Sequence, residues 1–175
     1  MPVYAVAFVS TILFGHLSDR IQVRGPLVVC LTALALAGYL ILLIVRTSNI
    51  TRYIGLCLIA VGMYPCVPIV LTWCNVSIIG FTRRATAVAT INMIAQVFGV
   101  VANLLYTSPP YYVNGIAFVI AFMFLAMSSS LIGIFYMRSQ NQKKRAAQNT
   151  HEASLLRDKS YEEIGNAHPD FFFTL

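Results

Sequence analysis

Five long runs of apolar residues, separated by short polar gaps, occupy most of the chain up to residue 137. The hydrocarbon core of a bilayer is about 30 Å thick, and a helix needs about 20 apolar residues to cross it. Four runs reach that length, whereas the first has only 15 residues. We expect this first run to be a helix whose outer end precedes the chain, with a tilted helix in a thinned bilayer as the alternative. The pattern therefore predicts five membrane spans: residues 3–17, 26–45, 53–79, 85–106 and 113–137.

Composition supports this interpretation and excludes other classes of protein. Hydrophobic residues make up 58% of the 175 residues and charged residues 10%, whereas a soluble domain has about 25% charged residues. Asp19 is the single carboxylate in residues 1–137. These values exclude an ordinary soluble domain and a nucleic-acid-binding protein. We predict an all-α polytopic bundle over residues 1–137 and a largely disordered polar tail over residues 138–175.

Basic residues are distributed unevenly between the two sides of the predicted bundle. Alternate gaps lie on the same side, and one side receives eight basic residues whereas the other receives Arg46 and Arg52. The positive-inside rule places the richer side in the cytoplasm. We therefore expect a multi-pass protein of the plasma membrane with its amino terminus outside and its tail inside. The eight residues are Arg20, Arg24, Arg83, Arg84, Arg138, Lys143, Lys144 and Arg145, the last four of which are expected to contact the anionic inner leaflet.

The gap after the first span carries a motif of small, acidic and basic residues, G-x-x-x-D-R-x-x-x-R, from Gly15 to Arg24. Its carboxylate, Asp19, can pair with arginines or face the positive amino end of another helix. We expect Asp19 to lie close to an arginine at the start of the fourth span and to hold two helices together at the cytoplasmic side. A solvated turn that obeys the positive-inside rule is the alternative. The predicted gating latch comprises Gly15, Asp19, Arg20, Arg24, Arg83 and Arg84.

This motif resembles the loop that follows the second helix of each six-helix half in the major facilitator superfamily. Together with four motifs further along the chain, which are given at the end of this paragraph, it makes the chain resemble helices eight to twelve of the fungal anion:cation symporters of the allantoate permease type. The resemblance implies a twelve-helix transporter of which this chain is a carboxyl-terminal fragment. Its partner would be the missing amino-terminal half or a second copy. The later motifs are YPCVP at 64–68, LTWCN at 71–75, TRRA at 82–85 and HPDF at 168–171.

A stripe of polar residues on the fourth span is the main candidate for a substrate cavity. Asn92, Gln96, Asn103 and Tyr106 fall within about 80° of one another on a helix, and Gly99 lies between them. A carboxamide that faces lipid is costly, so we expect this stripe to face protein or a water-filled cavity. Packing between helices is the alternative.

The third span adds further cavity candidates. Pro65 and Pro68 each remove a backbone donor near its middle and loosen its hydrogen-bond ladder. Tyr64 and Asn75 share one face of this helix, and we expect both to contact substrate. Trp73 points away from that face, and its position is typical of either an interfacial anchor or a ligand contact.

The residue types present favour transport over catalysis. The spans contain no paired acids or Ser–His arrangement, and the four cysteines lack metal-ligand spacing, so we expect no enzyme, cofactor or metal. The resemblance implies a symporter that moves small organic solutes, with organic anions or vitamin-like carboxylates as the expected substrates, by alternating access. We expect this chain to be unable to transport alone. The alternative is a small five-span membrane protein with a structural or regulatory role.

The orientation can be tested in intact cells. Because the richer basic side is expected in the cytoplasm, an epitope tag placed after residue 175 should be shielded from antibody. A cysteine introduced in the gap at residues 46–52 should react with a reagent that does not cross membranes. Labelling of the tag before permeabilisation would contradict the orientation.

Overall fold

The computed structural model describes residues 2–45, 48–105, 112–147, 165–167 and 171–174. Five of its helices are long and apolar enough to cross a membrane. The predicted all-α architecture with five spans is therefore confirmed. The elements are α1 (Pro2–Ile21), α2 (Arg24–Ile44), α3 (Asn49–Ser77), α4 (Phe81–Leu105), α5 (Val113–Ala147) and a 3₁₀ turn at Gly165–Ala167.

Each helix extends beyond the apolar run that predicted it at one end at least, and the extensions of α1 and α5 change the interpretation of the motif and of the tail. α1 has 20 residues and includes the polar motif, so Asp19 and Arg20 belong to its last turn instead of a loop. α5 has 35 residues and is about 52 Å long, well beyond the thickness of a hydrocarbon core. Residues 138–147, which the sequence assigns to the tail, continue α5 because Arg, Gln, Lys and Ala are good helix formers.

Short turns join the helices at both ends of the bundle. Two residues separate α1 from α2, and Gln22 adopts a positive φ of 58° there while its backbone N–H donates to the carbonyl of Ser18. Ser48 caps α3, because its side chain accepts a hydrogen bond from the backbone of the first helical turn. Gly80 adopts a φ of 98° before α4, a conformation that glycine adopts at no steric cost.

Small residues bring α2 and α3 into the most extensive helix–helix contact of the bundle. A Cβ atom on Gly62 would lie 2.5 Å from the carbonyl oxygen of Leu31, and one on Gly38 would lie 2.7 Å from that of Gly55. Lipid supplies no hydrophobic drive for helix association, so such close backbone approach is a main source of packing energy. Glycine at these positions therefore allows the contact.

The remaining helices pack around this pair to different extents. Val28, Leu31 and Ile69 form the buried core, against which Phe14 of α1 packs. α1 lies mainly against α3, and α5 lies mainly against α2. α4 has few contacts, and none of residues 81–104 is buried. The described part of the chain therefore leaves α4 largely uncovered.

Substitution of Gly62 by alanine should destabilise the α2–α3 contact. Because the added methyl group would meet the backbone of α2, we expect a cost of about 1–3 kcal/mol in the free energy of unfolding. The measurement is denaturant-induced unfolding in detergent. Gly99→Ala is the matched control, since no atom of a neighbouring element among the described residues lies within 4 Å of a Cβ there, and it should be neutral or stabilising. Equal effects of the two substitutions would contradict the packing argument.

Candidate functional site

The predicted latch lies at one end of the bundle, where α1, α3 and α5 finish and α2 and α4 begin. We call it the basic end and define it by Arg20, Arg24, Arg83 and Arg84. Arg24 is 6% exposed, and its guanidinium lies 3.5 Å from the carboxylate of Asp19, which is largely exposed. The same guanidinium donates to a backbone carbonyl of α3 at 3.5 Å, whereas its Nε is buried without a hydrogen-bond partner in the described chain.

The pairing of Asp19 differs from the expected one. Among the described residues, its ion pair is formed with Arg24 and not with Arg83 or Arg84. Arg84 donates instead to the carbonyl of Ile78 at 3.4 Å. The reason is local, because a turn of two residues brings Asp19 and Arg24 together, whereas Arg84 contacts the turn that precedes its own helix. Gly15 has open space beside it, so none of the described helices approaches closely at this position.

The candidates on α3 lie on a helix that continues through both prolines. Pro65 is buried and Pro68 is exposed. The helix is continuous from Asn49 to Ser77, so the weakened backbone hydrogen bonding at the two prolines does not interrupt it. Neither proline has a backbone N–H, so the carbonyls four residues earlier lose their usual donors. Tyr64 is 50% exposed and Asn75 is half-buried. Tyr64 and Asn75 thus lie eleven residues apart on one continuous helix.

The polar stripe of α4 lies on an exposed helix. Asn92, Gln96 and Asn103 are all exposed, and Gly99 has open space beside it. The amide of Asn92 donates to the carbonyl of Val88 in its own helix at 2.9 Å. No described helix covers these side chains, and Tyr106 lies outside the described residues.

A groove of about 680 Å³ lies between α3 and α4, on the face of α4 opposite to the polar stripe. Measured at 100° per residue, its lining residues lie roughly opposite to the stripe. The structure therefore does not join the polar stripe to the α3 candidates through this groove. The hydroxyls of Thr86 and Thr90 each donate to the carbonyl four residues earlier. Sequence analysis missed this threonine row, although its spacing of four residues was visible. The lining residues are Cys74, Ile78, Thr82, Arg83, Thr86, Ala87, Thr90 and Ile91.

A second cavity, of about 410 Å³, lies at the opposite end of the bundle. Its polar lining comes from Tyr39, Asn49, Arg52, Tyr53 and Tyr112. These residues come from α2, from the beginning of α3 and from the residue before α5, so no local spacing indicates the cavity.

Trp73 contacts other helices and the carboxyl-terminal residues. Its ring lies 3.2 Å from the Cβ position of Gly25 on α2 and 3.9 Å from that of Gly133 on α5. Its Nε1–H donates to the carbonyl of Thr174 at 2.9 Å. The indole is thus held between helices at the basic end, and its hydrogen bond goes to the chain itself.

Comparison with curated proteins relates the whole chain to transporters of two yeasts. The chain is 31% identical to an uncharacterized transporter of Schizosaccharomyces pombe over 175 residues, which is 100% of this chain and 35% of that protein. A second uncharacterized transporter of the same organism is 30% identical over 162 residues, 90% of this chain and 32% of that protein. The high-affinity nicotinic acid transporter of Saccharomyces cerevisiae is 25% identical over 150 residues, 83% of this chain and 28% of that protein.

The chain spans about a third of the length of these curated relatives. No protein-family model and no solved structure matches it. With its five apolar helices, the chain is an integral multi-pass membrane protein whose relatives are named transporters.

A double-mutant cycle can identify the partner of Asp19. We expect Asp19→Asn and Arg24→Gln to be coupled by about 0.5–1 kcal/mol in the free energy of unfolding, because one partner of this pair is exposed. Asp19→Asn and Arg83→Gln should be additive in the same chain. Coupling to Arg83 without coupling to Arg24 would contradict the observed pairing and favour the latch that the sequence predicts.

Proposed function

We propose that the chain forms the last five membrane helices of a transporter of the major facilitator superfamily, in the fungal anion:cation symporter family. The observation that carries this proposal is the likeness of the entire chain to a named transporter. The motif from Gly15 to Arg24, at the junction of α1 and α2, supports the superfamily assignment. In this arrangement the basic end lies in the cytoplasm and the transporter resides in the plasma membrane.

The transported solute is a small organic anion or a vitamin-like carboxylate. One relative is named as a nicotinic acid transporter, and nicotinic acid is a small carboxylate. Asp19 is the single carboxylate in residues 1–137 and lies at the basic end. The proton-carrying group of a symporter, and a midplane cation for the substrate anion, therefore belong to the rest of the transporter.

The polar stripe of α4 forms one wall of the substrate cavity. Asn92, Gln96 and Asn103 are exposed on the helix that has the least cover in the bundle. Carboxamides that face lipid would be left unsatisfied at a cost of about 1–3 kcal/mol each. An opposing bundle, from the rest of the transporter or from a second copy, would enclose them around a site near the bilayer midplane, at the level of Tyr64. Asn75 would line the cavity toward the basic end and Tyr106 toward the opposite end.

Transport then proceeds by alternating access. The two halves rock against one another around the enclosed site, so that it opens to one side of the membrane at a time. Asp19 and its ion-pair partner Arg24 lie at the basic end of this half. When that end closes, the carboxylate exchanges its partner and meets the amino end of α4, where Arg83 and Arg84 lie and the helix dipole favours a negative charge.

Uptake by proteoliposomes tests this function. Vesicles that contain only this chain should take up no radiolabelled nicotinate, whereas vesicles with the chain fused to the upstream helices of a relative should do so. In that transporter, Asn92→Ala or Gln96→Ala should reduce uptake about fivefold to tenfold, because each removes a hydrogen-bonding group from the cavity wall. Other organic anions serve as further probes if nicotinate is not carried.

Ser129→Ala is the matched control. Ser129 is an exposed polar residue of α5 whose hydroxyl donates to a carbonyl of its own helix, as the amide of Asn92 does. Its substitution should leave uptake unchanged, and an equal loss would contradict the cavity assignment. Saturable, gradient-driven uptake by the chain alone, without cross-linked dimers, would overturn the proposal that a second bundle is required.

A further inference from the structure

Two carboxyl-terminal segments, Gly165–Ala167 and residues 171–174, lie against the basic end, and we call them together the strap. Asn166 makes the central contact of the first segment. Its side-chain oxygen accepts from the backbone N–H of Ile79 at 2.9 Å, and its side-chain nitrogen donates to the carbonyl of Ser77 at 2.9 Å. One side chain thus pairs with backbone groups on either side of Ile78, the residue that follows α3, where the end of a helix leaves carbonyls without partners.

α5 holds both segments of the strap through its extension beyond the apolar run. Asn141 forms a reciprocal pair with the backbone of Phe173, donating to its carbonyl at 2.8 Å and accepting from its N–H at 2.9 Å. The ammonium of Lys144 donates to the carbonyl of Asn166 at 2.6 Å and to that of Phe171 at 2.8 Å. These bonds cross-link the strap to a rigid helix, and those of Lys144 are charge-assisted.

Aromatic rings of the second segment cover the cations of α5. The ammonium of Lys144 lies 5.3 Å from the ring centres of both Phe171 and Phe173, and the guanidinium of Arg145 lies 5.8 Å from that of Phe172. Cations at such distances are attracted to the ring face. Lys144 and Arg145, which the sequence assigns to the anionic leaflet, therefore contact the chain's own tail.

The strap also contacts the beginning of α4. Gly165 is buried, with a φ of 64°, and a Cβ atom there would collide with the guanidinium of Arg83. Arg83 is therefore packed against a position that only glycine suits. Since α4 has few other contacts, this packing and the bonds of Asn166 are important restraints on its first turn.

We infer that the strap is a positioning device that fixes the α3–α4 turn, with Asn166 as its main residue, and so sets where Arg83 is presented at the basic end. Its role in transport rests on the proposed function, whereas its docking does not. The strap connects helices of one bundle only, so it stiffens the end of that bundle and does not bridge two halves.

Trp73, the single tryptophan of the chain, reports docking directly. In the full chain reconstituted in lipid nanodiscs, removal of residues 165–175 deletes the carbonyl to which its indole donates. We expect a red shift of Trp73 emission and stronger quenching by acrylamide. Asn141→Ala should also shift the Trp73 emission to the red and strengthen its quenching. Gln142→Ala, at the exposed neighbouring position, should leave the emission and the quenching unchanged. Unchanged emission after the truncation would overturn the docked strap.

Trypsin cleavage after Arg83 or Arg84 tests the positioning of the turn in the same nanodiscs. Cleavage requires local opening of the first turn of α4. Asn166→Ala removes two hydrogen bonds from the adjoining α3–α4 turn, and should speed cleavage at these sites about tenfold relative to cleavage after Arg138. Gly165→Ala should have a similar effect through collision with Arg83. Equal rates in wild type and both variants would overturn the positioning role.

Transport kinetics separate this role from a substrate contact. In the transporter that contains the chain, Asn166→Ala should lower the maximal uptake rate about threefold to tenfold with KM unchanged, since the strap lies away from the midplane. A change in KM alone would contradict the proposal. If no form of the protein takes up solute, the proposed function fails, while the fluorescence and cleavage measurements still decide whether the strap docks and holds the turn.

Discussion

The close approach of α2 and α3 is the contact on which the rest of the bundle depends. Their backbones meet through Gly38, Gly55 and Gly62, and a methyl group added to Gly38 or Gly62 would lie 2.7 Å or 2.5 Å from a backbone oxygen of the facing helix. In lipid, dispersion forces between well-fitted surfaces take the place of the hydrophobic effect. α1 then packs on α3 and α5 on α2, so the positions of both outer helices depend on this pair.

α4, by contrast, has few contacts with the other described helices, and most of its surface is uncovered. It satisfies its own backbone, and several of its polar side chains bond to carbonyls in the same helix. These hydrogen bonds within the helix satisfy its polar side chains in lipid, but they do not stabilise packing against other helices. At one end the strap supplements the sparse contacts of α4 with α3 and α5. The polar stripe, by contrast, remains available for a surface from outside the described chain.

The number and type of the elements could be predicted because each span depends on a local property, the length of an apolar run. The ends of α1 and α5 could not, because both helices continue past the hydrocarbon boundary through charged residues such as Asp19 and Lys144, which the length of an apolar run does not register. The polar stripe was recognisable from helical periodicity, whereas the surface that faces it depends on tertiary structure. Trp73 and Thr174 bond across 101 positions of sequence, so no local pattern indicates the strap. Long-range packing also decides the partners of Arg83.

The turn of two residues between α1 and α2 bears on how the protein is made. Two residues extend no more than about 7 Å, so these helices enter the membrane as a hairpin. α1 is the least apolar of the five spans and α2 the most apolar, so α2 contributes more than α1 to the free energy of inserting this hairpin. The packing partner of α1, however, is α3, which emerges from the ribosome later. Ser10 and Thr11 both bond to the carbonyl of Ala7 within α1, which keeps the helix compatible with lipid during that interval.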